Sequence, residues 1–184
     1  MRASMTIVAL LAFAFLTGCQ TEPQNDAKKD ALHGEADAAL KDMYATDPGL
    51  KDLVGRSYGY ATFPNVGKGG VIVGGAYGRG VVHEQGKFIG YADLTQASIG
   101  LQLGGQTFKE LIVFENKQAL DNFRSGKLKF TANASAVAVK AGASAEARFK
   151  DGVAVFVQPN GGLMFEVSVG GQEFTFKSAA EASR

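Results

Sequence analysis

Between Leu32 and Tyr44 the apolar residues Leu32, Ala36, Ala39, Leu40, Met43 and Tyr44 recur at helical spacing and form one stripe. Lys28, Lys29, Asp30, Glu35, Asp37, Lys41 and Asp42 fill the remaining positions. Asp47-Pro48 then supplies an N-cap and a first helical residue for a second helix. Its short stripe is Leu50, Leu53 and Val54, and Gly55 and Gly59 bracket its end. From Tyr58 onward the period changes to two. Gln96–Leu103 alternates, with Ala97, Ile99, Leu101 and Leu103 on one face. Phe165, Val167 and Val169, and then Phe174 and Phe176, do the same. Such alternation predicts antiparallel strands with one wet face.

Three further runs are apolar throughout and predict buried strands: Val71–Val73, Leu111–Phe114 and Val153–Val157. Pro159-Asn160-Gly161-Gly162 and Gln85-Gly86 read as hairpin turns. One helix interrupts the strands, with Asn116 as N-cap, Ala119, Leu120 and Phe123 as its stripe, and Gly126 past its end. The pattern predicts about eight to ten strands. The class is α+β: N-terminal helices, then a β-rich, strongly curled antiparallel sheet, an open barrel or sandwich-like, with one inserted helix. Leu101–Phe108 resembles Val167–Phe174, with Val71–Tyr77 as a looser copy. The paired glycines Gly104-Gly105 and Gly170-Gly171 are expected at strand ends or bends.

The first residues follow another logic. Thr6–Leu16 is almost wholly apolar behind a single Arg2. Eleven helical residues reach about 16 Å, short of a hydrocarbon core of about 30 Å. This is the apolar core of a secretory signal peptide. It ends in Leu16-Thr17-Gly18-Cys19, the spacing of a bacterial lipobox, in which the Cys thiol takes a diacylglyceryl group and the new N-terminus is acylated. Gln20, not Asp, follows the cysteine, which points to the outer membrane. The expected division is a signal peptide over 1–18, an acylated Cys19 and tether over 19–30, one domain over 31–178 and a polar tail over 179–184.

Composition narrows the chemistry. The 184 residues include 24 Gly, two His, one Cys and no Trp. Losing Arg2 leaves 18 basic and 18 acidic side chains, so the chain beyond residue 18 is formally neutral and lacks the footprint of a nucleic-acid binder. One Cys excludes an internal disulfide and a Cys-based zinc cluster. Gly67-Lys68-Gly69-Gly70 fails as a phosphate loop, because Thr62 stands where the first Gly belongs and Gly69 where Ser or Thr belongs. It fails as a dinucleotide loop because Ile72 occupies the third Gly position. There is no Gly-x-Ser-x-Gly elbow, and His33 and His83 are poor material for a triad or a metal site. Asp93, Glu110, Glu115 and Asp121 are expected on solvated strand faces. The polar C-terminus, Ser178–Arg184, argues against an outer-membrane barrel. No catalytic residue, metal ligand or cofactor is expected.

Gly59–Gly70, Gly74–Val82, Gly90–Leu94 and Ala97–Gln106 together carry a resemblance. In these runs, and over about Leu32–Lys177, the chain resembles the SYLF-domain family in its bacterial lipoprotein branch. Eukaryotic members bind phosphoinositides and, in yeast, actin filaments. The resemblance implies a lipid-binding domain, whose N-terminal helical part meets the membrane. The matching region here, Leu32–Arg56, offers Lys41, Lys51 and Arg56 beside Glu35, Asp37, Asp42, Asp47 and Asp52. A second pair of candidates, Lys68 and Arg79, lies among glycines. Lys68 is expected in a turn with free amides, and Arg79 unshielded between Gly78 and Gly80, so that both could share one phosphate. The expected function is that of an outer-membrane-anchored periplasmic lipoprotein whose domain binds phospholipid head groups. The alternative is a non-catalytic structural or protein-interaction module of the envelope.

Overall fold

The computed structural model describes residues 25–70, 73–99, 106–130, 136–160 and 171–183. Helix α1 (Asp26–Thr46) begins under an Asn25 cap, whose side-chain oxygen accepts from the Lys28 amide at 2.9 Å. The helix therefore starts inside the stretch expected to be tether. Its buried residues are Leu32, Ala36, Ala39, Leu40 and Met43, the stripe read from the sequence. Helix α2 (Gly49–Arg56) follows and buries Leu50, Leu53 and Val54.

Among the described residues seven strands then form one sheet: β1 (Gly59–Gly70), β2 (Val73–Glu84), β3 (Lys87–Ile99), β4 (Gln106–Phe114), β5 (Val137–Ala138), β6 (Val153–Pro159) and β7 (Gln172–Ser178). Their spatial order is β5-β6-β4-β1-β2-β3-β7. All neighbours are antiparallel except β5, which lies parallel to β6. Helix α3 (Lys117–Arg124) interrupts the series after β4, and Asn116 caps it by accepting from the Ala119 amide at 3.0 Å. Gly126 ends it with φ +68°. The β2–β3 turn has positive φ at both Gln85 (49°) and Gly86 (77°), the hairpin geometry expected there.

The central strand β1 contains Pro64, which has no amide to donate to a ladder. The register of β1 shifts on both sides at this point, so the proline sits in a bulge. Gly80 lies opposite: a Cβ there would stand 2.5 Å from the Thr62 carbonyl oxygen and 2.8 Å from the Phe63 ring. Glycine on β2 is thus what lets the bulged strand and its buried Phe63 fit.

The sheet curls without closing, so that residues of distant strands meet on its inner face. Ala61, Phe63, Val66, Leu94, Ile112, Phe114, Val157 and Phe174 meet there, with Ala119, Leu120 and Phe123 of α3. Phe174 of β7 lies 6.0 Å from Phe63 of β1 and 5.1 Å from Phe123, although β7 is three places from β1 in the sheet. On the outer face α1 and α2 bury Leu40, Met43, Leu50, Leu53 and Val54 against Leu111, Val113, Ala154 and Phe156. A third cluster joins Leu32 and Ala36 to Val81, Tyr91 and Ala182. The tail expected to be polar therefore docks on α1, and the Lys29 ammonium donates to the Ala182 carbonyl at 2.8 Å.

Both sheet edges are occupied by one stretch of chain. Phe130 exchanges backbone hydrogen bonds with Gln172 and Gly171 beside β7, and β5 then pairs with β6 on the far side. Covered edges protect a sheet from pairing with other chains. Val71-Ile72, Leu101, Leu103, Gly104-Gly105 and Phe165–Gly170 lie outside the described residues. Gly171 stands immediately before β7 with φ +79°, a strand-end position.

One predicted face is corrected. On β3 it is Gln96 that is buried and Ala97 that is exposed. Gln96 pairs with Gln172, and opposite residues in a ladder share a face, so both glutamines point inward.

Candidate functional site

The sequence-derived cations fall in three separate places. Lys68 lies inside β1, opposite Ala76 and Gln106, and Gly69-Gly70 continue the strand against Gly75 and Gly74. It is not in a turn, and the ladder takes the place of free amides. Arg79 is on β2 opposite Asn65 and Asp93. Its Nε donates to Asp93 Oδ1 at 3.0 Å and its Nη2 to the Tyr77 hydroxyl at 3.0 Å, while that hydroxyl donates to Asp93 at 3.0 Å. Arg79 is therefore shielded by an ion pair, contrary to expectation. Ala76, opposite Lys68, belongs to the inner core, and Arg79 is three residues on. Strand alternation puts Lys68 and Arg79 on opposite faces of the sheet, so they cannot share one phosphate.

The carboxylates also depart from expectation. Asp93 is buried in the ion pair with Arg79, and Glu110 is wholly buried on the inner face. Gln172 Nε2 donates to Glu110 Oε2 at 2.9 Å, bridging strands β4 and β7 across the interior. Burial pushes the Glu110 carboxyl up to about 8, against a smaller opposing effect from the Gln172 hydrogen bond. Among the described residues Glu110 Oε1 and Gln172 Oε1 have no hydrogen-bond partner. Glu115 and Asp121 do lie at the surface, before and within α3. Among the described residues no group of three or more His, Cys, Asp or Glu side chains could hold a metal ion.

Lys41, Lys51 and Arg56 are exposed on α1 and α2. Of these, Lys51 lines a cleft of about 510 Å³ between the helices and the sheet. Tyr44 of α1, Tyr60 of β1, Val54 and Ser57 at the end of α2, and the β2–β3 turn complete it. The elements meet there because α2 ends and β1 begins within three residues. Ser57 turns the chain by donating its hydroxyl to the Val54 carbonyl at 2.8 Å. Tyr60 stacks on His83 at 4.8 Å with the rings 14° from parallel.

Burial and the neighbouring Tyr60 push the Tyr44 phenol up to about 12. Burial and the Asp37 carboxylate raise Tyr60 as well. Both hydroxyls therefore stay protonated through the physiological range. Burial, and then His33, lower His83, while Asp37 opposes them, so the ring under Tyr60 is held below the ordinary histidine range. The cleft is thus lined by one lysine and two tyrosines. Such a set suits an anionic oxygen cluster carried on an apolar body. The sequence pointed to Lys51 through its charge, but Tyr44 reads there as core and Tyr60 as an ordinary strand residue. Only the turn between α2 and β1 brings them together.

Residues 95–183 match the family model described as Las17-binding protein actin regulator, Ysc84, the SYLF domain. Over this segment the chain is similar to that family. The matched segment takes in the end of β3 and everything after it, including α3, β4, β6 and β7. A relative in Aeromonas veronii, Beta cell expansion factor A, is 28% identical over 157 residues, which cover 84% of this chain. The chain spans 59% of that relative's length. The SYLF-domain resemblance drawn from the glycine-rich runs is thereby established. Cys19 lies outside the described residues.

Proposed function

We propose that this chain is an envelope lipoprotein, lipidated at Cys19 and held at the periplasmic side of the outer membrane. In this reading its SYLF domain binds phospholipid head groups without catalysing a reaction. The single observation that carries the binding role is the cleft that gathers Lys51, Tyr44 and Tyr60. A phosphate can take the Lys51 ammonium as a point charge and the phenols as donors, while the ring faces accept the glycerol and first methylenes. Similarity over residues 95–183 to a family known for lipid and actin binding supports the same class of ligand. The lipobox ending in Cys19 supports the anchor.

The test is a titration of the ¹⁵N-labelled Gln20–Arg184 fragment with a short-chain phosphatidylglycerol below its micelle concentration. Amide shifts are expected at residues 51–60 and at Gln85-Gly86. Lys51→Ala should weaken the interaction about ten-fold, the loss of one charge-assisted contact. Lys150→Ala, remote from the cleft, should bind as the parent does. Shifts elsewhere, or equal binding by both variants, would remove the cleft from the account.

A further inference from the structure

We propose that His83 is a positioning residue that couples the cleft to a proton: a phosphodiester anion held beside Tyr60 favours the imidazolium of His83, so that anion and proton bind together. The proposal rests on the reading that the cleft takes a phospholipid head group.

His83 reaches the cleft through a single ring. It lies on β2 directly opposite Tyr60 of β1. Tyr60 lines the cleft, as do Gln85 and Gly86 of the turn that follows His83. The His83 and Tyr60 rings stack at 4.8 Å, 14° from parallel, and Phe88 of β3 stands against the imidazole at 6.0 Å. For this packing a phenyl ring would serve. The imidazole instead carries a buried Nδ1 with no hydrogen-bond partner among the described residues. A buried nitrogen left unsatisfied is costly, and the cost points to a role beyond packing.

The groups around the ring set its charge. From α1, His33 disfavours a second positive charge and Asp37 favours it, while His33 itself meets the Tyr91 hydroxyl at 3.3 Å. From β1 comes the Tyr60 phenol, kept neutral by burial and by Asp37. Phe88 brings no charge from β3. Glu84, next along β2, turns to the other face of the sheet, where it accepts from the Tyr58 hydroxyl at 2.7 Å and lies 3.8 Å from Arg124. Burial outweighs the rest, and the free protein holds His83 neutral at pH 7.

An anion in the cleft changes this balance. Its charge acts across one ring, inside the distance of about 8 Å over which salt leaves charges unscreened. The imidazolium it favours is also drawn to the Tyr60 face, as a cation to a π system. By linkage the proton strengthens the anion's binding as much as the anion strengthens the proton's. Affinity is therefore level above the His83 pKa of the complex. It rises as pH falls through that value and levels again below the lower pKa of the free protein.

Dihexanoyl phosphatidylglycerol below its micelle concentration is the probe, since its phosphodiester stays anionic throughout. The protein is the Gln20–Arg184 fragment, which holds every described element of the fold. The ring resonances of the two histidines, assigned with His33→Gln, are followed against pH with and without lipid. The His83 midpoint should rise by about 0.7 pH unit with lipid, and affinity should gain about five-fold from about pH 7.5 to about pH 5.5, the same free energy read in two ways. His83→Phe keeps an aromatic stack and should bind equally at both pH values, with His83→Gln as the second variant if the first does not fold. His33→Gln should move the His83 midpoint upward and leave the coupling intact, a response that packing alone would not give. Glycerophosphoglycerol, the same head group without acyl chains, separates the sources: equal coupling assigns the effect to the phosphodiester, weaker coupling to the lipid. A His83 midpoint indifferent to lipid, or pH dependence that survives in His83→Phe, would overturn the coupling alone. No binding at either pH would overturn the reading of the cleft and the coupling with it.

Discussion

Glu110 shows how far a single side chain can depart from its local appearance. The run Leu111–Phe114 announces a buried strand, but the residue before it reads as a charge at the wet end. Its surroundings are set by β7, which is four places away in the sheet and reaches it only because the sheet curls. Held near 8 by burial, the folded carboxyl keeps its proton over a range in which the unfolded chain has given its own up. The folded state then binds more protons, so stability falls as pH rises from the ordinary glutamate range to about 8 and levels off above it. Each pH unit in that window removes about 1.4 kcal/mol. Glu110→Gln should therefore be more stable than the parent at pH 8, by about 2–4 kcal/mol, with the gap closing towards pH 5. Gln172 can reverse its amide so that its oxygen accepts from the introduced side chain. Urea unfolding at both pH values checks this, and identical slopes with pH for the two proteins would contradict it. Arg79 was illegible for a related reason. Its partner Asp93 is fourteen residues away and becomes its neighbour only once the β2–β3 register is known.

At the scale of elements, helices were legible and strand faces less so. The α3 cap, stripe and terminal glycine are all local signals, and all three hold. The alternation of β3 correctly implied two faces, but it turns the apolar Ala97 inward, whereas Gln96 goes in because it pairs across the ladder with the buried Gln172, a partner nothing local to β3 names. Asp47 was recognised as a capping residue from Pro48 alone. The structure adds a second role, since its carboxylate accepts from the Gly49 amide at 3.1 Å and from the Ser144 amide at 2.6 Å. It thereby ties the start of α2 to the 3-10 turn Ala143–Glu146. Burial pushes the Asp47 carboxyl up, but these bonds, with those from the Ser144 side chain and the Gly142 amide, outweigh it and hold the group below the ordinary aspartate range. Its contribution is present above the unfolded aspartate pKa and is lost as pH falls through the depressed folded value. Asp47→Ala should cost about 1–2 kcal/mol at pH 7 by leaving two part-buried amides without their acceptor, and Asp47→Asn less, since one acceptor remains. Hydrogen exchange should show the loss at both Gly49 and Ser144. An effect confined to α2 would mean that the long-range bond carries no weight.

At the scale of the molecule, one curled sheet places α1 and α2 outside and α3 within, so that the helices brace opposite faces of the same strands. The α+β class and the curl were readable from the change of period at Tyr58 and from the glycine density. The pairing of Phe130 beside β7 and of β5 with β6 was not, because nothing local to Phe130 or Val137 names a distant partner. Nor was the cleft, which exists only where α1, the end of α2 and the β2–β3 turn converge. The central claim is that this domain recognises phospholipid on its own, apart from any acyl anchor. Flotation of the anchor-free Gln20–Arg184 fragment with phosphatidylglycerol-containing vesicles tests it most directly. The account predicts that the fragment rises with the vesicles and that Lys51→Ala largely leaves it behind; a fragment that stays at the bottom of the gradient would contradict it.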